Sequence, residues 1–184
     1  IRKSKRKDLN KSATDSNKPF EGKSMIMIFE KPSTRTRISF DIAVKQLGGK
    51  SLTLNPDEIH YGNGNESLHD TAKILSEYSD VVMIRTSKHK KLEDFAKYSE
   101  IPVINGLSEK GHPCQIMSDI LTFEEHKGNI KDKTIAWLGD GNNNMSNSFI
   151  EASAKFGFKF NICCPDKYKP SKNILVWAKK NKAN

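Results

Sequence analysis

The fold of this chain is decided by the segment Ser24-Met25-Ile26-Met27-Ile28-Phe29-Glu30-Lys31-Pro32-Ser33-Thr34-Arg35-Thr36-Arg37. Its first six residues form a short apolar run, which is typical of a strand buried on both faces of a parallel sheet. Residues 30–32 turn the chain, and beyond Ser33 the apolar residues Ile38 and Ile42, four positions apart, predict a helix. A buried strand that leads directly into a helix is the beginning of a βα unit.

The same alternation of strand and helix continues through the rest of the chain. Further strands are predicted at residues 51–54, 81–84, 102–104, 134–138 and 158–164. Further helices are predicted at residues 67–78, 92–98, 113–128, from 142 to 156, and from 171 onward. Alternating strands and helices predict an α/β fold, a parallel sheet flanked by helices on both faces.

A break in this pattern near residues 128–132 predicts a domain boundary, with one domain at residues 1–130 and a second at residues 131–184. The first has about four strands and can hold a core. The second has two strands and two helices, so we interpret it as the start of a second α/β domain. Ile1 is not an initiator methionine and Asn184 follows a helical pattern, so both ends are expected to be cut.

The bulk composition excludes some classes of protein and leaves others open. No apolar run is long enough to span a bilayer, and no apolar stretch follows the basic N-terminus, so neither a membrane span nor a signal peptide is predicted. The net charge of +9 is compatible with nucleic acid, an anionic surface, anionic small substrates or mere solubility. The aromatic content of 8% and the dispersed lysines argue against a base-stacking surface, so no nucleic-acid partner is predicted.

The three cysteines, Cys114, Cys163 and Cys164, do not form a disulfide framework. We interpret them as small buried residues in a reducing cytosol, which predicts a cytoplasmic location.

Polar residues gather where the predicted strands end, and ligands of open parallel sheets bind beyond the carboxyl ends of the strands. These residues are Ser33 to Arg37 after the first strand, Glu58, His60 and Tyr61 after the second, Arg85 and Thr86 after the third, Asn105 after the fourth, and His112 and Gln115 at the next helix.

The cluster after the first strand has the composition of an anion site. A helix N-terminus carries free N–H groups and partial positive charge, and hydroxyls and Arg35 add donors that suit phosphate. The alternative is that Ser33 or Thr34 only caps the helix and that the arginines are solvated.

His112 and Gln115 are three residues apart at a predicted helix start and so share one face. One can donate to a substrate carbonyl and the other can bind its amide. A structural histidine or a metal ligand are the alternatives. No second histidine or cysteine stands at ligand spacing in this helix, so no metal is predicted.

Gly139-Asp140-Gly141 after a strand is similar to a dinucleotide fingerprint, but Asn144 stands where the third glycine is required, so NAD is not expected. The run Asn142-Asn143-Asn144 either offers amide groups to a polar substrate or forms a turn and helix cap.

Three motifs, taken together, resemble those of the aspartate/ornithine carbamoyltransferase family. Phe29 to Phe40 resembles its Ser-x-Arg-Thr-Arg signature, His112-Pro113-Cys114-Gln115 its His-Pro-x-Gln motif, and Arg85 the arginine after its third strand. The resemblance covers essentially the whole chain. It implies a carbamoyl-phosphate-binding domain followed by the start of an amino-acid-binding domain.

The resemblance also implies a reaction and its residues. A carbamoyl group would pass from carbamoyl phosphate to an amine, without a metal or organic cofactor. The implied catalytic residues are Arg35, Arg85 and His112. Arg85 would bridge the phosphate and the carbonyl oxygen, His112 would donate to that oxygen as it gains charge, and Gln115 would hold the carbamoyl NH2. The implied phosphate ligands are Ser33, Thr34, Arg35 and Thr36.

Two segments favour ornithine as the acceptor within this family. Residues 58–62 are similar to the loop of ornithine-using members, where the histidine, here His60, reaches a neighbouring subunit's carbamoyl-phosphate site. Residues 62–68 lack the lysine of aspartate-using members, and Asn143 is the best match for the ornithine-binding asparagine. The resemblance therefore implies ornithine and carbamoyl phosphate as substrates, citrulline as product, a place in arginine biosynthesis, and a homotrimer.

Alternatives remain at this point. The acceptor could be aspartate, putrescine or N-acetylornithine, and the chain could be a non-catalytic anion-binding module or a structural fragment without a ligand. The family's later ornithine-binding segments are not in this sequence, so the 184-residue chain is expected to be inactive by itself.

Overall fold

The computed structural model describes residues 15–56 and 66–183, which divide by packing into two compact units after Gly106. The basic N-terminus and the candidate residues Glu58, His60 and Tyr61 lie outside the described residues.

A four-stranded sheet organises the first unit. In chain order its elements are β1 (Ser24–Phe29), α1 (Thr34–Gln46), β2 (Lys50–Leu54), α2 (Leu68–Tyr78), β3 (Val81–Arg85), α3 (His89–Tyr98) and β4 (Val103–Leu107). The strand order is β2-β1-β3-β4, and β1 runs parallel to both β2 and β3. The apolar runs at residues 24–29 and 81–84 thus form two adjacent central strands, as expected for strands buried on both faces.

Strand alternation divides the core into two layers. On one face Ile26, Ile28, Val82 and Ile84 pack with residues of α2 and α3. On the other face Met25, Met27, Phe29 and Met83 pack with Val44 of α1. Helices therefore cover both faces of the sheet, and the predicted α/β fold is confirmed.

Three details of the first unit differ from the sequence prediction. The Ile38–Ile42 pair is exposed, at 57% and 39%, and Val44 is the buried residue of α1. β4 continues to Leu107, so Asn105 lies inside the strand and not after it. α3 begins at His89, three residues early, because its N-cap Lys88 makes no side-chain capping bond that the sequence could have signalled.

The second unit contains a two-stranded parallel sheet and three helices. Its elements are α4 (Pro113–Lys127), β5 (Thr134–Leu138), α5 (Asn144–Phe156), β6 (Lys159–Cys163), a 3₁₀ turn (Asp166–Tyr168) and α6 (Lys172–Lys180). Ile116 and Ile120 of α4 share a buried cluster with Ala152 of α5 and with Phe158. Because α4 packs on α5, the compact unit begins ahead of residue 130, where the sequence pattern changes. The domain boundary inferred from that pattern stays a prediction.

The cysteines differ from their predicted burial. All three are free thiols, but Cys163 is exposed, and Cys114 and Cys164 are only half-buried. Side chains along β6 point alternately inward and outward, and Cys163 is one of the residues that point outward. In the two described ranges, no helix combines the length and the apolar character that crossing a membrane requires.

Candidate active site

The N-terminus of α1 lies at the carboxyl edge of the first sheet. β1 ends at Phe29, which is in register with Arg85 at the end of β3. Ser33 is the N-cap of α1, with extended backbone angles, and its side chain makes no capping hydrogen bond. The first-turn N–H groups of an α-helix have no partner within the helix. The hydroxyls and the amides at this helix end therefore face the same edge of the sheet as Arg85.

Arg85 is a half-buried cation that reaches this helix end. Its Nη1 donates to the Thr36 hydroxyl at 3.3 Å, and its Nε is buried without a hydrogen-bond partner. Burial lowers the pKa of Arg85 below its ordinary value, and the nearby positive charge of Arg35 lowers that pKa further. In the described ranges no carboxylate forms an ion pair with Arg35 or Arg85.

Without a bound anion, this arrangement of Arg35 and Arg85 lowers the stability of the fold. A buried N–H group without a partner costs about 1–3 kcal/mol, and two like charges repel each other. An anion bound between Arg35 and Arg85 removes both costs, because it accepts from Nε and pairs with both guanidinium groups. The geometry and the electrostatics therefore favour an anion site.

The acidic residue next to this site is engaged on the other face of the sheet. Glu30 follows β1, and its backbone N–H donates to the Arg85 carbonyl oxygen at 2.9 Å. Its carboxylate accepts a hydrogen bond from the fully buried Thr86 and forms an ion pair with Lys91 of α3. Strand alternation places Glu30 and Thr86 opposite to the side on which Arg85 meets α1. The Glu30 carboxylate is thus neutralised by α3 and does not compensate Arg85.

His112 and Gln115 stand at the start of α4 in the second unit. His112 is the N-cap and is half-buried, and its backbone N–H donates to the Ser148 hydroxyl at 2.8 Å. Gln115 is exposed, and its Nε2 donates to the Asp119 carboxylate at 2.8 Å. Pro113 occupies the first helical turn, as predicted. Across the described ranges, no three metal-ligating side chains are grouped so that they could hold a metal ion.

Asn143 is the N-cap of α5, and its side chain is bound to the local backbone. Its Oδ1 accepts from the N–H groups of Met145 and Ser146, and its Nδ2 donates to the Asp140 carbonyl at 2.6 Å. This geometry matches the turn-and-cap alternative, and a role in substrate binding stays a prediction. A Cβ on Gly141 would lie 3.0 Å from the Tyr168 carbonyl oxygen, so this glycine allows two loops to pack closely.

The structure thus brings Thr36 and Arg85 into contact, with Arg35 close enough to affect Arg85. Ser33 and Thr34 belong to the same helix end. Sequence reasoning gave no role to Glu30, although an acid at the end of a buried strand signals a partner, because charged residues are rarely buried alone. It also gave none to Ser148, which is 36 residues from His112 and carries no motif of its own.

Comparisons with known proteins agree with the motifs. The profile of the aspartate/ornithine carbamoyltransferase carbamoyl-P binding domain matches residues 2–125, and the profile of the Asp/Orn binding domain matches residues 131–184. An ornithine carbamoyltransferase of Rhizobium meliloti (strain 1021) is 52% identical over 178 residues, which are 97% of this chain and 58% of the relative. One of Agrobacterium fabrum is 51% identical over 96% of this chain and 57% of its own length.

Solved structures show the same relationship. The ornithine carbamoyltransferase of Pyrococcus furiosus matches with a TM-score of 0.84 and 44% identity, over 91% of this chain and 53% of that one. The anabolic enzyme of Campylobacter jejuni matches with a TM-score of 0.83 and 41% identity, over 91% of this chain and 55% of that one. This chain spans less than two thirds of the length of these relatives.

Proposed function

This chain belongs to the aspartate/ornithine carbamoyltransferase family, and on that premise we propose that the protein transfers the carbamoyl group of carbamoyl phosphate to the side-chain amine of ornithine. The products are citrulline and phosphate. The single observation that carries the proposal is the half-buried Arg85 beside Arg35, without a compensating carboxylate among the described residues.

The phosphate of carbamoyl phosphate binds at the N-terminus of α1. The amides of the first turn and the hydroxyls of Ser33, Thr34 and Thr36 donate to its oxygens. Arg35 supplies a planar pair of donors that matches two phosphate oxygens. Arg85, through its Nε and the guanidinium end that contacts Thr36, bridges the phosphate and the carbonyl oxygen.

In the chemical step the neutral amine attacks the carbonyl carbon, a C–N bond forms, and the C–O bond to phosphate breaks. Negative charge develops on the carbonyl oxygen, and His112 and Arg85 donate to it. Gln115 holds the carbamoyl NH2. The leaving phosphate keeps the bonding electron pair and accepts the proton that the amine loses. Positioning and charge stabilisation are sufficient for this step, so the proposal needs no metal or organic cofactor.

The choice of acceptor is supported by relatives that are named ornithine carbamoyltransferase and are about half identical to this chain. Asn143 is proposed to bind ornithine, and His60 to serve the site of a neighbouring subunit in a homotrimer. The proposed setting is arginine biosynthesis in the cytoplasm. The expected inactivity of the 184-residue chain alone also stays a prediction, which citrulline formation by the purified chain would contradict.

The direct test is an acceptor panel with the natural full-length protein. Carbamoyl phosphate is supplied with ornithine, aspartate, putrescine or N-acetylornithine, and each carbamoylated product is measured. We expect citrulline to form faster than the other products by a factor on the order of 100 or more. A different preferred acceptor would overturn the choice of ornithine. Stabilisation by carbamoyl phosphate without any transfer would favour the non-catalytic anion-binding module.

A further inference from the structure

Three polar residues on one face of α5 are not used by the reaction described above. Asn144, Asn147 and Ser148 are spaced three and four residues apart, so they project from the same side of the helix. All three bind the backbone of the segment at residues 108–112, which ends in His112 and is called the histidine loop below.

The three hydrogen bonds fall on every second residue of the histidine loop. Asn144 Nδ2 donates to the Ser108 carbonyl at 3.0 Å, and Asn147 Nδ2 donates to the Lys110 carbonyl at 3.2 Å. The backbone N–H of His112 donates to the Ser148 hydroxyl at 2.8 Å. Hydrogen bonds at this regular spacing fix the path of the loop through its backbone.

Ser148 is the best-defined of these contacts. It is 4% exposed, and its hydroxyl donates to the Asn144 carbonyl at 2.8 Å, which turns its lone pairs toward His112. The preceding Gly111 allows the close approach, because a Cβ there would lie 3.1 Å from the Ser148 oxygen. A buried hydroxyl with both a donor and an acceptor partner is held in one orientation.

We propose that Ser148, supported by Asn144 and Asn147, is a positioning residue that sets the backbone of His112 and thereby aims its imidazole at the reacting carbonyl oxygen. The inference deepens the proposed function and rests on it. Ser148 acts through His112 and does not touch the substrate. His112 lies within the stretch matched by the carbamoyl-P binding domain, whereas the three positioning residues lie within the Asp/Orn binding domain. The helix of one family domain thus orients a catalytic residue of the other.

The effect on catalysis follows from the sensitivity of a positioned donor. A hydrogen bond to developing charge depends steeply on distance and angle, and small misplacements of catalytic groups have large kinetic consequences. Loss of the Ser148 hydroxyl frees the N–H of His112 and lets the N-cap residue sample other backbone angles. We expect kcat to fall about tenfold or more, while KM for ornithine changes less than twofold because no substrate contact is removed.

The first experiment uses amide hydrogen exchange on the natural full-length protein, in which activity plays no part. Ser148→Ala removes the acceptor of the His112 N–H, so we expect that amide to exchange at least about tenfold faster. The matched control is Ser153→Ala, because Ser153 is also buried in α5 but donates only to the Ile150 carbonyl of its own helix. Unchanged protection of His112 in Ser148→Ala would overturn the inference.

The second experiment measures kcat and KM for both variants and for Ser148→Thr, which keeps a hydroxyl. We expect Ser148→Ala to lower kcat, Ser148→Thr to restore at least part of it, and Ser153→Ala to stay within twofold of the parent. Equal losses in Ser148→Ala and Ser153→Ala would show a merely structural role and refute the positioning role. If the parent protein forms no carbamoylated product, the proposed function is wrong. The exchange experiment still tests the hydrogen bond between the His112 N–H and Ser148, because it does not depend on activity.

Discussion

At the scale of single residues, Arg85 is held in an arrangement that costs stability. The side chain is half-buried and its Nε has no partner; burial lowers the pKa of Arg85, and charge repulsion from Arg35 lowers it further. Glu30, the acid that follows the neighbouring strand β1, is engaged by Thr86 and Lys91. A cation arranged in this way contributes little to the stability of the ligand-free protein, and its charge is available to an anion.

Arg85→Met is therefore expected to have opposite effects on stability and on binding. Without ligand, we expect the free energy of unfolding to rise by about 1 kcal/mol, because an uncompensated buried donor is removed. Carbamoyl phosphate at a hundredfold excess over its Kd is expected to stabilise the parent by about 2.7 kcal/mol. We expect Arg85→Met to lose this stabilisation by the ligand. Thermal unfolding with and without carbamoyl phosphate measures both effects.

Lys45→Met is the control for this experiment. Lys45 is an exposed cation in the last turn of α1, at the opposite end of that helix from the proposed anion site, and it pairs with Asp41. We expect it to gain no stability without ligand and to keep the full response to carbamoyl phosphate. A carbamoyl-phosphate response of parental size in Arg85→Met would contradict the anion site.

At the scale of elements, the strands were predictable and the packing faces were only partly so. β1 and β3 are buried on both faces, so their apolar runs mark them to within a residue. The exposed pair Ile38 and Ile42 has the spacing of a buried face, and periodicity alone cannot tell which side of α1 meets the sheet.

The placement of the candidate site residues at one edge of the sheet was predictable to a similar extent, while their role in binding stays a prediction. Ser33 to Thr36 and Arg85 carry their chemistry at strand ends, where a parallel sheet gathers its ligand-binding residues. Ser148 and Glu30 act through partners that are far away in sequence, and a single sequence does not record such pairs.

Thr86 links three elements and is expected to carry measurable stability. It is fully buried, donates to Glu30 at the end of β1, and accepts from the N–H of Lys88 ahead of α3 at 3.1 Å. Thr86→Val removes one hydrogen-bond partner from the half-buried Glu30 carboxylate and one from the Lys88 N–H. We therefore expect the free energy of unfolding to fall by about 1–3 kcal/mol. Chemical denaturation measures this loss.

Thr71→Val provides the comparison for this substitution. Thr71 is also nearly fully buried, but its hydroxyl donates only to the carbonyl of Ser67, the N-cap of its own helix α2. Such back-bonding contributes little to a helix, so we expect a change below about 0.5 kcal/mol. Equal effects of the two substitutions would show that the link to Glu30 carries no special stability.

Asp41 couples α1 to β2 in a pH-dependent way. Hydrogen bonds from Lys45 and Ser51 lower the pKa of Asp41 below its ordinary value. Because the folded pKa is the lower one, the charged form stabilises the fold above about pH 4, and this contribution is lost as the pH falls through the folded pKa. We expect Asp41→Asn to cost less than about 1 kcal/mol at pH 7, because the pair is largely exposed, and this cost to shrink as the pH falls below about 4.

Unfolding curves of the parent, Asp41→Asn and Ser51→Ala between pH 2 and pH 7 test this coupling. Ser51→Ala removes one of the two hydrogen bonds to the carboxylate and should flatten the pH dependence in part. A difference between parent and Asp41→Asn that persists unchanged at pH 2 would contradict the assignment.

At the scale of the whole molecule, packing and sequence profile divide the chain at different places. The carbamoyl-P binding profile extends to residue 125, whereas the second compact unit begins at Leu107. The difference is α4, whose Ile116 and Ile120 share a buried cluster with Ala152 of α5 and with Phe158. The family profile thus assigns α4 to the first domain, whereas its buried residues pack in the second unit. We expect the amides of α4 to lose protection from hydrogen exchange together with those of the second unit.

Ile120→Ala tests which unit α4 belongs to energetically. Ile120 is 3% exposed, and its truncation leaves a cavity that costs about 2–5 kcal/mol. Because its neighbours lie in the second unit, we expect amide exchange to accelerate in α5, β5 and β6, while β1 and β3 keep their protection.

Val82→Ala is the reciprocal substitution, since Val82 is fully buried in the sheet of the first unit. We expect it to accelerate exchange in β1 and β3, and to leave α4 and α5 protected. If Ile120→Ala instead raised exchange in β1 and β3 first, α4 would belong by stability to the unit that contains them, and the family boundary near residue 130 would also be the cooperative one.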